Sequence, residues 1–197
     1  MGDDGILMSR KVLLRPFEPA DDIRQLHEWY GQFFAFMPWC IDRSWLNEDD
    51  FQDGFQAAEG SRRHIRMMIE YDGYGVGTIC SYDYNPSDGW VYVSIFMDPK
   101  VQGRLGIGQL SFALFVNRLF GNYSSLRRIY CAVPGYDLEY AGAFQRNNFD
   151  PVAVIPDHTL WDGCYCDQLL FMIGRERYKH IRAYIHVRRQ GLELATA

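Results

Sequence analysis

The chain is predicted to fold as a mixed α/β (α+β) domain on one seven-stranded sheet, and two features of the sequence lead to that reading. First, residues 64–71, 74–84 and 90–97 are three successive strand-like runs, parted by the turn signals Asp72-Gly73 and Asn85-Pro86-Ser87-Asp88-Gly89. Second, the full order is strand, two helices, three strands, helix, strand, helix, two strands, helix. That order suits a mixed sheet and not a doubly wound dinucleotide fold.

Each element has its own local reason. Residues 12–17 form the first predicted strand, broken by Pro16 and Pro19. Asp21 and Asp22 stand where acids favour a helix N-terminus, and Ile23, Leu26, His27 and Tyr30 follow at helical spacing. Residues 33–45 are aromatic and irregular around Pro38. Ser44 or Asn47 caps a second helix through Phe51, Phe55 and Ala58, ended by Gly60. In the strand at 74–84, Gly75 and Gly77 mark a bulge. Residues 90–97 (WVYVSIFM) are the central-strand candidate. A helix in 109–120 follows from Leu110, Ala113, Leu114, Val116 and Leu119. Then come a strand at 128–133, stopped by Pro134-Gly135, a short helix at 137–148, and strands at 150–155 and 165–173 about a Trp161-Asp162-Gly163 turn. The basic tail at 175–189 reads as helix. The division is thus a leader over 1–10, one domain over 11–174, and a basic C-terminal helix within 175–197 packed on that domain.

Composition bounds the function. Hydrophobic residues are 48% and aromatics 16%, enough for a sizeable core and far from disorder. A net charge of -5 argues against a general nucleic-acid binder, which needs clustered Lys and Arg, and is compatible with an amine-bearing partner. Cys40, Cys80, Cys131, Cys164 and Cys166 are odd in number and irregularly spaced. They point to a reducing cytoplasm, not a disulfide framework. Cys164 and Cys166 lack the second ligand pair of a zinc site, so a structural role is expected and no metal. The first residues do not read as a signal peptide, and no run approaches the ~18 apolar residues of a membrane helix. A cytoplasmic protein with no membrane partner is expected.

The richest segment runs from Met97 to Gly108. A strand ends, glycines allow positive φ and close backbone approach, and a helix begins. Amides at that helix's positive end would suit a pyrophosphate, although a ligand-free glycine-rich turn reads the same way. A Walker A loop is excluded because Gln109-Leu110 follows Gly108 where Lys-Ser/Thr is required, and the dinucleotide G-x-G-x-x-G order is missing.

This segment resembles the acyl-CoA pyrophosphate loop of the GNAT superfamily of N-acyltransferases, [QR]-x-x-G-x-[GA] after a strand. Counted back from Gly106-x-Gly108, the [QR] place falls on Gly103, so the loop is one residue longer than the pattern, with Leu105 or Gly103 extra. LLRPFEPADDIRQL and LWDGCYCDQLLF resemble the opening and the late hairpin of the branch that acetylates ribosomal-protein N-termini. The resemblance implies a GNAT-like, mostly antiparallel sheet with helices on both faces. It also implies acetyl-CoA or another acyl-CoA as co-substrate, and direct attack by the primary amine of a small molecule or protein N-terminus. By the same resemblance Phe96 and Met97 meet pantetheine, and Gln102, Gly103, Arg104, Leu105, Gly106, Ile107 and Gly108 hold the diphosphate.

Acyl transfer to an amine needs a neutral amine, stabilisation of the thioester oxyanion and a proton for the departing thiolate. The backbone N–H of Met97 is the candidate oxyanion donor. The family helix N-x-x-[SA]-x-x-x-Y-x-K-x-G-F, anchored on Phe149, falls on Asp137, Tyr140, Phe144, Arg146 and Asn148. Phe144 replaces the usual tyrosine acid, and Tyr140, with an ordinary pKa of about 10, is the candidate substitute; simple packing is its other reading. Glu139, Asp83, Tyr84, Tyr92 and Ser94 are candidates for a base, none singled out. Asp137 could orient an amine or cap its helix. Phe33, Phe34, Phe36, Trp39 and Trp45 line a substrate wall or the core. The basic tail is a solvated face, a cover for the cleft or a homodimer contact. Two alternatives stand beside acyl transfer from CoA: an acyl-CoA-binding module of weak activity, and acyl transfer from a carrier-protein thioester.

Overall fold

The computed structural model describes residues 7–8, 12–33, 53, 65–98, 100–101 and 106–178. Its strands are β1 (Leu7–Met8), β2 (Val12–Pro16), β3 (Ile65–Tyr71), β4 (Tyr74–Asn85), β5 (Trp90–Met97), β6 (Arg128–Pro134), β7 (Ala153–Trp161) and β8 (Cys164–Gly174). The described helices are α1 (Pro19–Phe33), α2 (Ile107–Asn122) and α3 (Leu138–Arg146). The strands form one sheet in the order β1-β2-β3-β4-β5-β6-β8-β7, antiparallel except between β5 and β6.

All seven expected strands are present, and two details differ. Leu7–Met8, expected to be part of a loose leader, adds an eighth strand by pairing with Leu13 and Leu14. The strand begun near 150 does not stop at Ile155. Asp157, at φ 51, bulges the chain, its N–H bonds to Asp167 Oδ1 (3.1 Å), and pairing resumes from Thr159 to Trp161. The hairpin turns are as expected. Asp72-Gly73 and Asp162-Gly163 have φ of 52, 83, 47 and 78, the paired left-handed conformation that matches strand twist. The register shift opposite Ile69/Glu70 falls between Gly75 and Gly77, where the glycines marked a bulge.

Period-2 alternation assigns each face of the sheet. Met67, Ile69, Ile79, Val91, Val93, Ile129, Cys131, Phe171 and Ile173 line one face and form a single buried cluster with α2 and α3. On α2, Leu114, Phe115, Val116 and Leu119 are at most 2% exposed, and each such side chain contributes roughly 1.5–3 kcal/mol on burial. α1 covers the opposite face. Its Trp29 ring lies 5.5 Å from Phe96, and Gln25 Nε2 donates to the Gly75 carbonyl (3.1 Å). Helices therefore flank both faces. The N-terminal acids do more than favour a helix end. Arg15 holds buried Asp22 through two hydrogen bonds (2.6 and 2.7 Å), and the Glu18 N–H also donates to Asp22.

The helix expected through Phe51, Phe55 and Ala58 lies outside the described residues apart from Asp53. So do the side chains of Phe33, Phe34, Phe36, Trp39 and Trp45. Of the basic tail, Arg175–Arg177 forms a single 3-10 turn. Arg175 is not a solvated charge: its guanidinium donates to the carbonyls of Phe120 (3.0 Å), Leu126 (2.7 Å) and Tyr123 around the end of α2.

Candidate functional site

The central feature is a gap in the sheet. β5 pairs with β4 from Trp90 to Met97, but with its parallel neighbour β6 only from Trp90 to Tyr92. Beyond Tyr92 the two strands part, while β6 stays paired with β8 along its whole length. The Asp98 N–H donates to the Val76 carbonyl (2.9 Å), which fixes the parity of β5. Even-numbered residues address β4, so Ile95 and Met97 turn their N–H and C=O groups toward the gap, where no strand among the described residues meets them.

This parity separates the two residues expected at pantetheine. Met97 has its amide at the gap. Phe96 does not: its backbone faces β4, its carbonyl lies 2.3 Å from where a Cβ on Gly77 would be, and its ring is buried against Trp29. Ile95, like Met97, has its backbone groups toward the gap. Residue types alone did not single out Ile95, because the signal is a hydrogen-bond register and not a side chain.

At the mouth of the gap α2 begins. Gly106 is its N-cap at φ 65, ψ 25, with no side-chain capping bond and no acid in the first turn. The leading amides of a 16-residue helix are thus left without a side-chain partner. Ile107 is buried in the core, and Gly108 faces Met97, whose Cγ would stand 3.4 Å from an added Cβ. Gln102, Gly103, Arg104 and Leu105 lie outside the described residues.

α3 closes the gap from the other side. Asp137 caps it by accepting from the Tyr140 N–H (3.0 Å), which settles its role as a cap; burial raises its carboxyl above the usual range. Tyr140 is partly exposed as a residue, yet its hydroxyl is sealed from solvent and has no hydrogen-bond partner among the described residues. The phenol is pushed well above its ordinary pKa, first by burial and then by the nearness of Cys131 on β6, Asp137, and Tyr82 and Cys80 on β4. Its electrostatic neighbours thus lie on β4 and β6, the strands on either side of the gap. Phe144, one turn on, does not face the gap. It is buried against Phe171, Phe112 and Phe149.

The base candidates scatter. Glu139 is exposed on the first turn of α3, about 100° around the helix from Tyr140. The Tyr84 hydroxyl bonds to Ser125 Oγ (2.9 Å) and its ring packs on Tyr123, at the far end of β5 from the mouth of the gap. Ser94 is 4% exposed with its Oγ unpartnered, on the α1 face beside the gap. Tyr92 stands where β5 and β6 part, and Asp83 occupies a bulge in β4. The cysteines Cys80 and Cys131 are buried thiols, while Cys164 and Cys166 lie at the start of β8. Among the described residues no helix is long and apolar enough to cross a membrane.

No protein-family model and no curated protein matches the chain. Solved structures do. The RimL ribosomal L7/L12 alpha-N-protein acetyltransferase superposes with a TM-score of 0.72 at 15% identity, over 86% of this chain and 94% of that one. Its complex with coenzyme A gives 0.68 at 15% identity, over 86% and 98%. The dodecameric spermidine N-acetyltransferase from Vibrio cholerae gives 0.70 at 15% identity, over 85% and 96%. Identities this low speak for the fold, and a parted central strand pair, an uncapped helix N-terminus at its mouth and helices on both faces accord with it: the chain has the GNAT fold.

Proposed function

We propose that the protein transfers an acyl group, acetyl in the simplest case, from acyl-CoA to a primary amine by direct attack. The observation that carries this reading is the buried, partnerless Tyr140 hydroxyl in a gap whose β5 edge presents the free amides of Ile95 and Met97. The solved neighbours named for acetylating a ribosomal protein and spermidine, and the one holding coenzyme A, support it.

The residues fit the co-substrate. The unpaired β5 amides offer strand-like hydrogen bonds to the pantetheine arm, and the first amides of α2, opened by Gly106, offer donors to the diphosphate. Residues 102–105 complete that loop in this reading. The neutral amine attacks the thioester carbon. Negative charge gathers on the carbonyl oxygen, and the Met97 N–H, with Ile95 one step deeper, is aimed at it from the strand edge. The carbon–sulfur bond then breaks. The amine's surplus proton leaves for solvent or a buried water, and the departing thiolate takes up a proton from the same water, so the sulfur ends as a thiol.

Tyr140 serves the sulfur. A phenol held above its ordinary pKa stays protonated at neutral pH, so it is always ready to donate a hydrogen bond to a developing thiolate. Full proton transfer would run uphill, since a free thiol has a pKa of about 8.5. Tyr140 therefore stabilises the leaving group chiefly as a donor. Glu139, exposed on α3, is the nearest carboxylate in sequence and acts in this scheme only by drawing protons toward bulk water.

The test is thiol release from acetyl-CoA by the full chain across a panel of primary amines, with product mass as the second readout. Acetylated amine with stoichiometric thiol supports transfer. Tight coenzyme A binding with no thiol release from any amine would replace it with a binding module.

A further inference from the structure

Beside the gap, the α1 face of the sheet carries a row of aromatic rings that the reaction scheme leaves unused. Tyr82 on β4 stacks on Tyr92 on β5 (centroids 5.5 Å apart, planes 21°), and Tyr92 in turn meets Tyr130 on β6 (5.6 Å, 37°). α1 covers the other end of this face, where Trp29 meets Phe96. The tyrosines stand at the closed end of the gap, where β5 and β6 begin to part.

One residue beside this row is in an unusual conformation. Asp83 has φ 52. The other non-glycine residues at positive φ lie in hairpin turns, at the end of α3 or in the edge strand β7, whereas Asp83 interrupts an interior strand. The bulge there displaces the register between Tyr82 and Asn85, and such bulges re-aim side chains next to binding sites. It turns Tyr84 inward against Tyr123 and leaves Asp83 exposed. The Asp83 carboxylate is close enough to raise the phenols of both Tyr82 and Tyr92, each already raised by burial. No cation among the described residues pairs with it.

A carboxylate beside stacked electron-rich rings is the chemistry that recognises an ammonium group. Arg128, whose Nη1 lies 3.5 Å from the Tyr130 hydroxyl, puts positive charge at the β6 end of the row. An ammonium is thereby confined to the β4 end. From Tyr92 to Ile95 is three strand residues, about 10 Å, and to Met97 five, about 17 Å.

We propose that Asp83, Tyr82 and Tyr92 bind a second cationic group of the acceptor, about 10–17 Å from the reacting carbon. The preferred acceptors are then diamine-like molecules and not monoamines. The site deepens the acyl-transfer reading and rests on it for its role, but its binding can be measured alone.

Calorimetric titration of the full chain with 1,8-diaminooctane and with octylamine separates the two. The diamine is expected to bind about ten-fold tighter. Asp83→Asn, which keeps a residue tolerant of positive φ, should abolish that advantage. Tyr92→Leu should lower diamine affinity about five-fold with little effect on octylamine. In thiol-release assays Asp83→Asn should raise KM for the diamine and leave kcat nearly unchanged, the mark of a positioning residue. Equal affinity for the two amines, or an undiminished diamine advantage in Asp83→Asn, overturns the proposal. Absence of thiol release with every amine would overturn acyl transfer instead, while the titration still decides the cation site.

Discussion

Phe144 lies flat on Phe171, ring centroids 4.5 Å apart and planes within 11°. The position where the family pattern has a tyrosine acid is therefore part of the core here, and the hydroxyl at the gap belongs to Tyr140, one turn earlier. Two substitutions follow with opposite signatures. Tyr140→Phe should cut turnover by roughly 10²-fold while coenzyme A affinity stays near that of the parent. It should also raise stability by about 1 kcal/mol, since an unsatisfied buried hydroxyl is removed. Phe144→Tyr should gain no activity and lose about 1–3 kcal/mol, because its oxygen would be buried among Phe112, Phe149 and Phe171. Kinetics alongside urea melts check both. Parental turnover in Tyr140→Phe would remove the assignment.

Gly106 opens α2 in the left-handed region at φ 65. A valine there costs roughly 1–2 kcal/mol in backbone strain and swings the first amides of α2 out of line. Gly106→Val should weaken coenzyme A binding by roughly ten-fold or more. Gly73, at φ 83 in the β3–β4 turn with open space around it, supplies the control. Gly73→Ala should lose comparable stability and leave coenzyme A affinity unchanged. If both variants bind coenzyme A like the parent, the diphosphate does not sit at α2.

The parts of this fold that were legible in the chain are those set by short-range chemistry. Asp72-Gly73 and Asp162-Gly163 dictate their turns because few other pairs tolerate two positive φ angles. WVYVSIFM reads as a central strand because, Ser94 apart, both its faces are apolar or aromatic. What stayed hidden depends on partners distant in sequence. Nothing local says that Ile95 and not Phe96 addresses the gap; that follows from one bond between Asp98 and Val76. Likewise Arg175 reads as one more tail charge until the end of α2 arrives beneath it. Residues 102–105 and 34–52, which carry part of the expected diphosphate loop and the aromatic wall, lie outside the described residues.

Asp137 couples the cap of α3 to pH. Its carboxyl is raised, with burial outweighing the hydrogen bond from Tyr140 N–H that would lower it. Between the unfolded and the raised folded pKa the native state holds more protons than the unfolded chain, so this group's contribution to stability falls as pH rises through that window. Asp137→Asn keeps a good capping side chain without the charge. It should match or exceed the parent in stability at neutral pH, the difference vanishing as the medium is acidified below the unfolded value. Asp137→Ala should lose about 1 kcal/mol in acid, because the cap itself is gone, and less than that at neutral pH, where the parent bears the buried charge. Melting curves of the three proteins across pH decide the matter; an Asn variant as weak as the Ala variant would mean that the charge, not the cap, holds the helix start.

Arg175 is the counterpart at the other end of α2. It gathers the carbonyls of Phe120, Tyr123 and Leu126 in one planar fork, packs over the Phe120 ring at 5.1 Å, and ties its own N–H to the Arg127 carbonyl (3.0 Å). A cation at a helix C-terminus also meets the negative end of the helix dipole. Removing it strips this donor from all three carbonyls in a part-buried setting, of which Tyr123 alone keeps a second donor, the Leu126 N–H (3.1 Å), and Arg175→Met should cost about 2–4 kcal/mol. Lysine carries the charge but cannot span three acceptors with one ammonium, so Arg175→Lys should recover less than half of that loss. The loosening should appear as faster hydrogen exchange over residues 117–127 in the free protein, and in the proposed scheme α2 also presents its first amides to the diphosphate. Added coenzyme A should slow that exchange in the variant by more than in the parent. Full rescue by lysine would reduce Arg175 to its charge, and unchanged exchange at the end of α2 would deny it the capping role.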